Sequence, residues 1–117
     1  MATVLIVEDD PLIASFISKA LARHGYEIEW VQSGRAALDR LGETGVDLQL
    51  LDLGLPDIDG LEVLRQLKER GDRVPVIVIT SRSDPADRAI AEDLGVNAYL
   101  TKPFPLAELI ALVGATV

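Results

Sequence analysis

Four places in this sequence carry side chains suited to chemistry on a phosphoryl group or a hard cation. They are Glu8-Asp9-Asp10, Asp52, Thr80-Ser81 and Thr101-Lys102-Pro103. Each ends a short apolar run. If those runs are parallel strands, their ends share one edge of a sheet. Asp9 and Asp52, with Glu8 nearby, would then repel one another and raise each other's pKa unless a cation intervened. Donors that are all oxygen favour a hard ion, and Mg²⁺ uses one or two carboxylates while keeping several waters. Its other positions can accept a phosphoryl oxygen. Lys102 can meet a second phosphoryl oxygen as a point charge, and Thr80 can donate to a third. Asp52, at the tip of a central run, is the natural nucleophile for an aspartyl phosphate.

The apolar runs that position these groups are Val4–Val7, Ile28–Val31, Leu48–Leu51, Val76–Ile79 and Ala98–Leu100. Each is of strand length, and helical spacing fills the gaps between them. Asp10 is expected to cap the first helix, with Pro11 at its first position and Gly25 beyond its end. Its buried face is read as Leu12, Ile13, Phe16, Ile17, Ala20 and Leu21. Ser33 caps a second helix, with Ala37, Leu38 and Leu41 inward and Gly42 as terminator. A third runs from about Gly60 to Arg70 on Leu61, Leu64 and Leu67. Asp84-Pro85 opens a fourth, closed by Gly95, and the last follows Pro105. Trp30 and Phe16 read as packing residues, Asp57 and Asp59 as turn and capping residues, and His24 as a helix-end residue.

Alternating strands and helices imply βαβ units and a parallel sheet. The third and fourth runs read as apolar strands covered on both faces. Glu27–Val31 alternates, which suits an edge. The expected fold is α/β: a single five-stranded parallel sheet, doubly wound and flavodoxin-like, in the order 2-1-3-4-5.

Composition narrows the classes. The chain has 117 residues, which suits one domain spanning residues 1–117. It has no cysteine and a single histidine, which excludes thiolate and multi-histidine metal sites. A net charge of −8 argues against direct nucleic-acid binding. No apolar stretch approaches the roughly 20 residues of a membrane span. No targeting segment is visible, so a cytoplasmic protein is expected.

Taken in order, VLIVEDD, LLDLGLPDIDG, VIVITS and AYLTKPF resemble the receiver domain of two-component response regulators, of the chemotaxis-regulator kind. The resemblance covers essentially the whole chain. It implies that Asp52 is the phosphoacceptor and that Asp9 is a direct ligand of Mg²⁺ or Mn²⁺. Glu8 would act through a metal-bound water, and the Gly54 backbone carbonyl would complete the protein ligands. Lys102 would contact the phosphoryl group, and Thr80 and Tyr99 would be the switch residues. Pro103 stands where the family often uses a cis peptide bond. The implied partners are a sensor histidine kinase or phosphotransfer protein and an effector domain or output protein. The receiver would catalyse its own phosphorylation and dephosphorylation, and Arg82 stands near enough to alter access of water or a partner.

Output would run through the surface made by the fourth helix, fifth strand and fifth helix, as a population shift in which Tyr99 turns inward. From Pro103 to Val117 the only charge is Glu108, while Leu106, Leu109, Ile110, Leu112 and Val113 exceed one buried stripe. A partner, a second copy or a missing domain would cover that helix. Homodimerisation is one such cover. The charged-pair dimer of winged-helix regulators is disfavoured, because Leu94, Ala98, Leu112 and Ala115 stand where other charges would be sought. Arg88 and Glu108 remain as one candidate pair. The chain reads as either a free-standing receiver or one excised from a longer regulator.

The competing reading is a receiver-like interaction module that is never phosphorylated. It ranks lower because the acids, acceptor and lysine are all present. A flavin protein would need a phosphate-cradling loop where Glu8-Asp9-Asp10 stands, and an aspartate phosphatase would need a lid.

Overall fold

The computed structural model describes all 117 residues. The strands β1 (Thr3–Val7), β2 (Glu27–Val31), β3 (Leu48–Leu51), β4 (Val76–Thr80) and β5 (Ala98–Thr101) form one sheet. All pairings are parallel and the order is β2-β1-β3-β4-β5, as expected. The helices between them are α1 (Pro11–Arg23), α2 (Gly34–Leu41), α3 (Gly60–Glu69), α4 (Pro85–Asp93) and α5 (Leu106–Thr116). None is long and apolar enough to cross a membrane.

Two cores flank the sheet. Val4, Ile6, Leu48, Leu50, Ile77 and Ile79 face α1 and α5, meeting Ile17, Leu21, Leu109 and Val113. Leu5, Val7, Leu51 and Val78 face the other side, meeting Ala37, Leu61, Leu64 and Leu67. Period-two alternation sends neighbouring residues of each inner strand to opposite cores, so β1 and β4 are buried at every position. The alternating β2 lies at the edge, and β5 forms the other edge.

The helix starts follow their caps. Asp10, Ser33, Asp59 and Asp84 each accept a bond from an N–H in the first turn that follows. Gly25 and Gly95 take positive φ just beyond α1 and α4. Gly42 ends α2 with right-handed φ −71°, and the left-handed turn falls at Gly45.

Several expectations need correction. Leu12 and Phe16 are not on the buried face of α1; they are 80% and 57% exposed. Ile17, Ala20 and Leu21 are buried as expected, and Ala14 joins them. The apolar stripe of α1 is wider than the strip the sheet can cover. Trp30 is only partly a packing residue: it is half-exposed and anchored by its indole N–H. The third run is not apolar throughout, because Gln49 lies in it, fully buried. On α5, Leu109 and Val113 are buried and Leu106, Ile110 and Leu112 are half-buried. The outward positions are small: Ala107, Ala111, Gly114 and Ala115 are exposed alongside Glu108.

Candidate functional site

The carboxyl end of β1 turns into α1 through Glu8, Asp9 and Asp10. Asp10 is taken up by capping, accepting from Leu12 N–H at 2.9 Å. Glu8 turns inward and is 1% exposed. Its carboxylate accepts from the Asp10 N–H at 3.1 Å, and its carbonyl accepts from the Trp30 indole N–H at 2.7 Å. Asp9 stays exposed. One carboxylate oxygen from each of Glu8, Asp9 and Asp52 lies within 4.8 Å of the others.

Asp52 follows β3 and is 7% exposed. Its Oδ1 accepts from the Gly54 N–H at 3.0 Å. Lys102, carried just past β5, donates to Asp52 Oδ2 at 3.1 Å and to Glu8 Oε1 at 2.7 Å. The Lys102–Pro103 peptide bond is cis. One ammonium thus joins the ends of β1, β3 and β5.

Charge is divided unequally between the two buried acids. Burial pushes the Glu8 carboxyl up to about 7, aided by the facing Asp52 and opposed by Lys102 and the Asp10 N–H. Burial also pushes Asp52 up. The Gly54 N–H, the Lys102 ammonium and the Thr80 hydroxyl outweigh it and hold Asp52 below the ordinary carboxylate range. Asp52 is therefore an ionised, partly desolvated carboxylate. Burial lowers the pKa of Lys102, but its two carboxylate partners outweigh this and keep the amine charged.

These groups can hold a divalent hard cation. The donors are oxygen only, they converge within ion-sharing distance, and three acids face one ammonium. The Gly54 carbonyl belongs to the loop that follows Asp52. That loop is shaped by Gly60, whose N–H donates to the Leu53 carbonyl at 2.8 Å. A Cβ on Gly60 would stand 2.5 Å from Leu53 Cα and 2.9 Å from the Asp52 carbonyl. Only glycine lets α3 start this close to the end of β3.

Thr80 ends β4 and is 1% exposed, its hydroxyl accepting from the Arg82 N–H at 3.3 Å. Tyr99 on β5 is already turned inward, with its hydroxyl donating to the Arg82 carbonyl at 2.7 Å. Arg88 lies over the Tyr99 ring, 5.6 Å from its centre, and pairs with Glu92 at 3.6 Å.

A family model for the response regulator receiver domain matches residues 4–114. This chain belongs to that family. The receiver is 41% identical over 108 residues to response regulator MprA of Mycolicibacterium vanbaalenii, covering 92% of this chain and 47% of the relative. It thus spans about half the length of the curated relatives it matches. A CheY-like receiver domain from Methanospirillum hungatei shares the fold at TM-score 0.92 and 25% identity, covering 98% of this chain and 92% of that one. The receiver domain of sensor histidine kinase PA1611 from Pseudomonas aeruginosa matches at TM-score 0.88 and 32% identity, covering 98% and 96%. That structure holds a magnesium ion in its active-site cleft. Receiver domains bind Mg²⁺ in such an acidic site and interact with histidine kinases and effector domains.

The fold brings the other sequence-predicted residues to one edge, with Tyr99 set back within β5, three residues before Lys102. Two features went unread. Asp57, expected to serve its own turn, caps α2 from outside, accepting from Gly34 N–H at 2.8 Å and Arg35 N–H at 2.9 Å. Arg82, expected only to stand near the site, bonds the Thr80 and Tyr99 hydroxyls through its backbone. A cation two residues after the strand-end hydroxyl, with Asp84 and Asp87 following, was the available signal.

Proposed function

We propose that this receiver accepts a phosphoryl group on Asp52 from a phosphohistidine of a sensor kinase or phosphotransfer protein. The observation that carries this reading is the Lys102 ammonium bonded at once to Asp52 and Glu8 at the tip of the central strand. An Asp52 carboxylate oxygen attacks phosphorus. The phosphorus–nitrogen bond of the donor breaks, its electron pair stays on the imidazole, and an acyl phosphate forms. Lys102 then holds charge that has moved from the carboxylate onto the phosphoryl oxygens, and Thr80 donates to one of them. Mg²⁺, or Mn²⁺, would be held by Asp9, Asp52 and the Gly54 carbonyl, with Glu8 acting through water, and would neutralise the phosphoryl charge. Hydrolysis of the acyl phosphate at the same site resets the receiver.

The donor's approach passes a groove of about 440 Å³ lined by Leu12, Ile13, Phe16, Lys102, Pro103 and Phe104. Its exposed Leu12 and Phe16 adjoin the residue that holds the phosphoryl group, and we assign this surface to the donor. Output runs through α4, β5 and α5 to an effector domain, an output protein or a second copy. Such partners confine the receiver's work to the cytoplasm.

Intact-mass measurement after incubation with acetyl phosphate tests the reading. One phosphoryl group should add with Mg²⁺, none without it, and none to Asp52→Asn. No adduct on the wild-type protein, together with no response to beryllofluoride, would favour the unphosphorylated interaction module. Leu12→Ser with Phe16→Ser should slow transfer from a phosphohistidine protein by about tenfold and leave acetyl phosphate labelling unchanged.

A further inference from the structure

Arg82 makes more contacts between elements than any other side chain near the site, and the phosphotransfer chemistry uses none of them. Its Nη1 donates to Asp59 Oδ2 at 2.6 Å and to the Leu53 carbonyl at 3.3 Å. Its Nε and Nη2 form a two-pronged pair with Asp87, each prong at 3.2 Å. Leu53 adjoins the acceptor Asp52, Asp59 caps α3, and Asp87 lies in the first turn of α4. One planar guanidinium therefore spans the loop after β3, the start of α3 and the start of α4. A planar, five-donor fork can satisfy three acceptors at once, whereas an ammonium on a flexible stem makes a poor substitute.

The main chain of the same residue carries the other half of the arrangement. Its N–H donates to the Thr80 hydroxyl, and its carbonyl accepts from the Tyr99 hydroxyl. Both switch hydroxyls thus bond one peptide segment, whose side chain ties the acceptor loop to α4. A phosphoryl group on Asp52 that draws the Thr80 hydroxyl toward it also pulls on the Arg82 N–H that donates to the same oxygen. The segment from Thr80 to Asp84 then shifts with the guanidinium still joined to both neighbours.

Resting on the reading of Asp52 as acceptor, we propose that Arg82 is a positioning residue that couples the acceptor loop to α4, transmitting occupancy of the site to the output face. The coupling requires the fork geometry and not just the positive charge. Arg82 touches neither the acceptor carboxylate nor the proposed cation ligands, so its loss leaves occupancy possible.

Two readouts on the full chain separate occupancy from transmission. Trp30 is the only tryptophan, and its indole N–H bonds the Glu8 carbonyl, so its fluorescence reports on the site. Hydrogen exchange of the α4 amides reports on the output face. Both are measured with Mg²⁺, before and after beryllofluoride, on wild type, Arg82→Ala, Arg82→Lys and Asp87→Asn. In the wild type both signals should change. In the variants the Trp30 response should remain, α4 exchange should already be about tenfold faster in the free protein, and beryllofluoride should no longer alter it. Arg82→Lys should behave like Arg82→Ala. Asp87→Asn leaves one neutral acceptor in place of the charged two-pronged pair at the α4 end, and keeps the test available if Arg82→Ala folds poorly. A wild-type α4 response in the variants would overturn the coupling role. A Lys variant that behaves like wild type would overturn the fork requirement. A wild-type protein whose Trp30 does not respond would count against the acceptor reading itself.

Discussion

The end and the middle of β3 treat a buried polar group in opposite ways. Asp52, just past the strand, is charged and nearly sealed, yet both carboxylate oxygens have donors. Gln49, within the strand, is fully buried, and neither its Oε1 nor its Nε2 has a partner in the protein. Its register neighbours are Leu5 on β1 and Val76 on β4, both apolar, and the backbone groups around it are used by the sheet. At the strand's end, loops bring spare N–H groups and a lysine; in the middle nothing is spare. A parallel sheet can therefore hold a charge at its carboxyl edge more cheaply than a neutral amide at its centre.

The largest test of that contrast removes the partner at the edge. Lys102→Met should cost about 3–5 kcal/mol above pH 7, because two buried carboxylates are left facing each other. Urea unfolding at pH 8 measures it, and millimolar Mg²⁺ should restore part of the loss by binding only the folded state. A loss below about 1 kcal/mol, the value of an exposed pair, would mean that water solvates the edge freely.

Gly60→Ala attacks the loop that supplies the donors. A Cβ at 2.5 Å from Leu53 Cα forces the acceptor loop away from α3. The expected cost is about 1–3 kcal/mol, with slower labelling of Asp52 by acetyl phosphate. Unchanged unfolding midpoints would show that the loop yields without strain.

Changing the middle should have the opposite sign. Gln49→Met removes two unpartnered polar groups at similar volume and should stabilise the protein by about 1–2 kcal/mol, with labelling of Asp52 unaffected. Destabilisation would show that the amide finds partners in solution.

The last test is of pH dependence. Glu8 is held up to about 7 in the folded state against an ordinary value of 4.5. An acid whose folded value is raised binds its proton more tightly when folded. Its contribution is therefore complete below about 4.5 and is lost as pH rises through about 7. Metal-free protein should lose stability across that window, and Glu8→Gln should flatten the loss. Asp52, held low, acts in the opposite sense and only toward acid pH. A flat wild-type profile would put Glu8 in contact with water.

How much was legible from sequence differs between helices α1 and α5. On α1 the i, i+4 pattern led to six inward residues, but the sheet covers a narrower strip and leaves Leu12 and Phe16 out. On α5 the composition pointed to an uncovered apolar helix. The large side chains instead turn partly toward the sheet, and alanines and a glycine face outward. Periodicity gives the direction of a hydrophobic face, whereas its covered width depends on how the neighbouring elements pack.

Residue types and local order alone determined the strands, the caps and the placement of acids, hydroxyl and lysine at strand ends. These follow from short-range physics: period-two burial, side-chain capping and the common direction of parallel strands. Tertiary structure decided which partners those groups share. It placed one ammonium between Glu8 and Asp52, set Asp57 on the N-terminus of a different helix, brought Gly60 against Leu53, and gave the Thr80 and Tyr99 hydroxyls to Arg82. Most of these contacts join residues far apart in the chain, and their geometry is fixed only when the two cores close on the sheet.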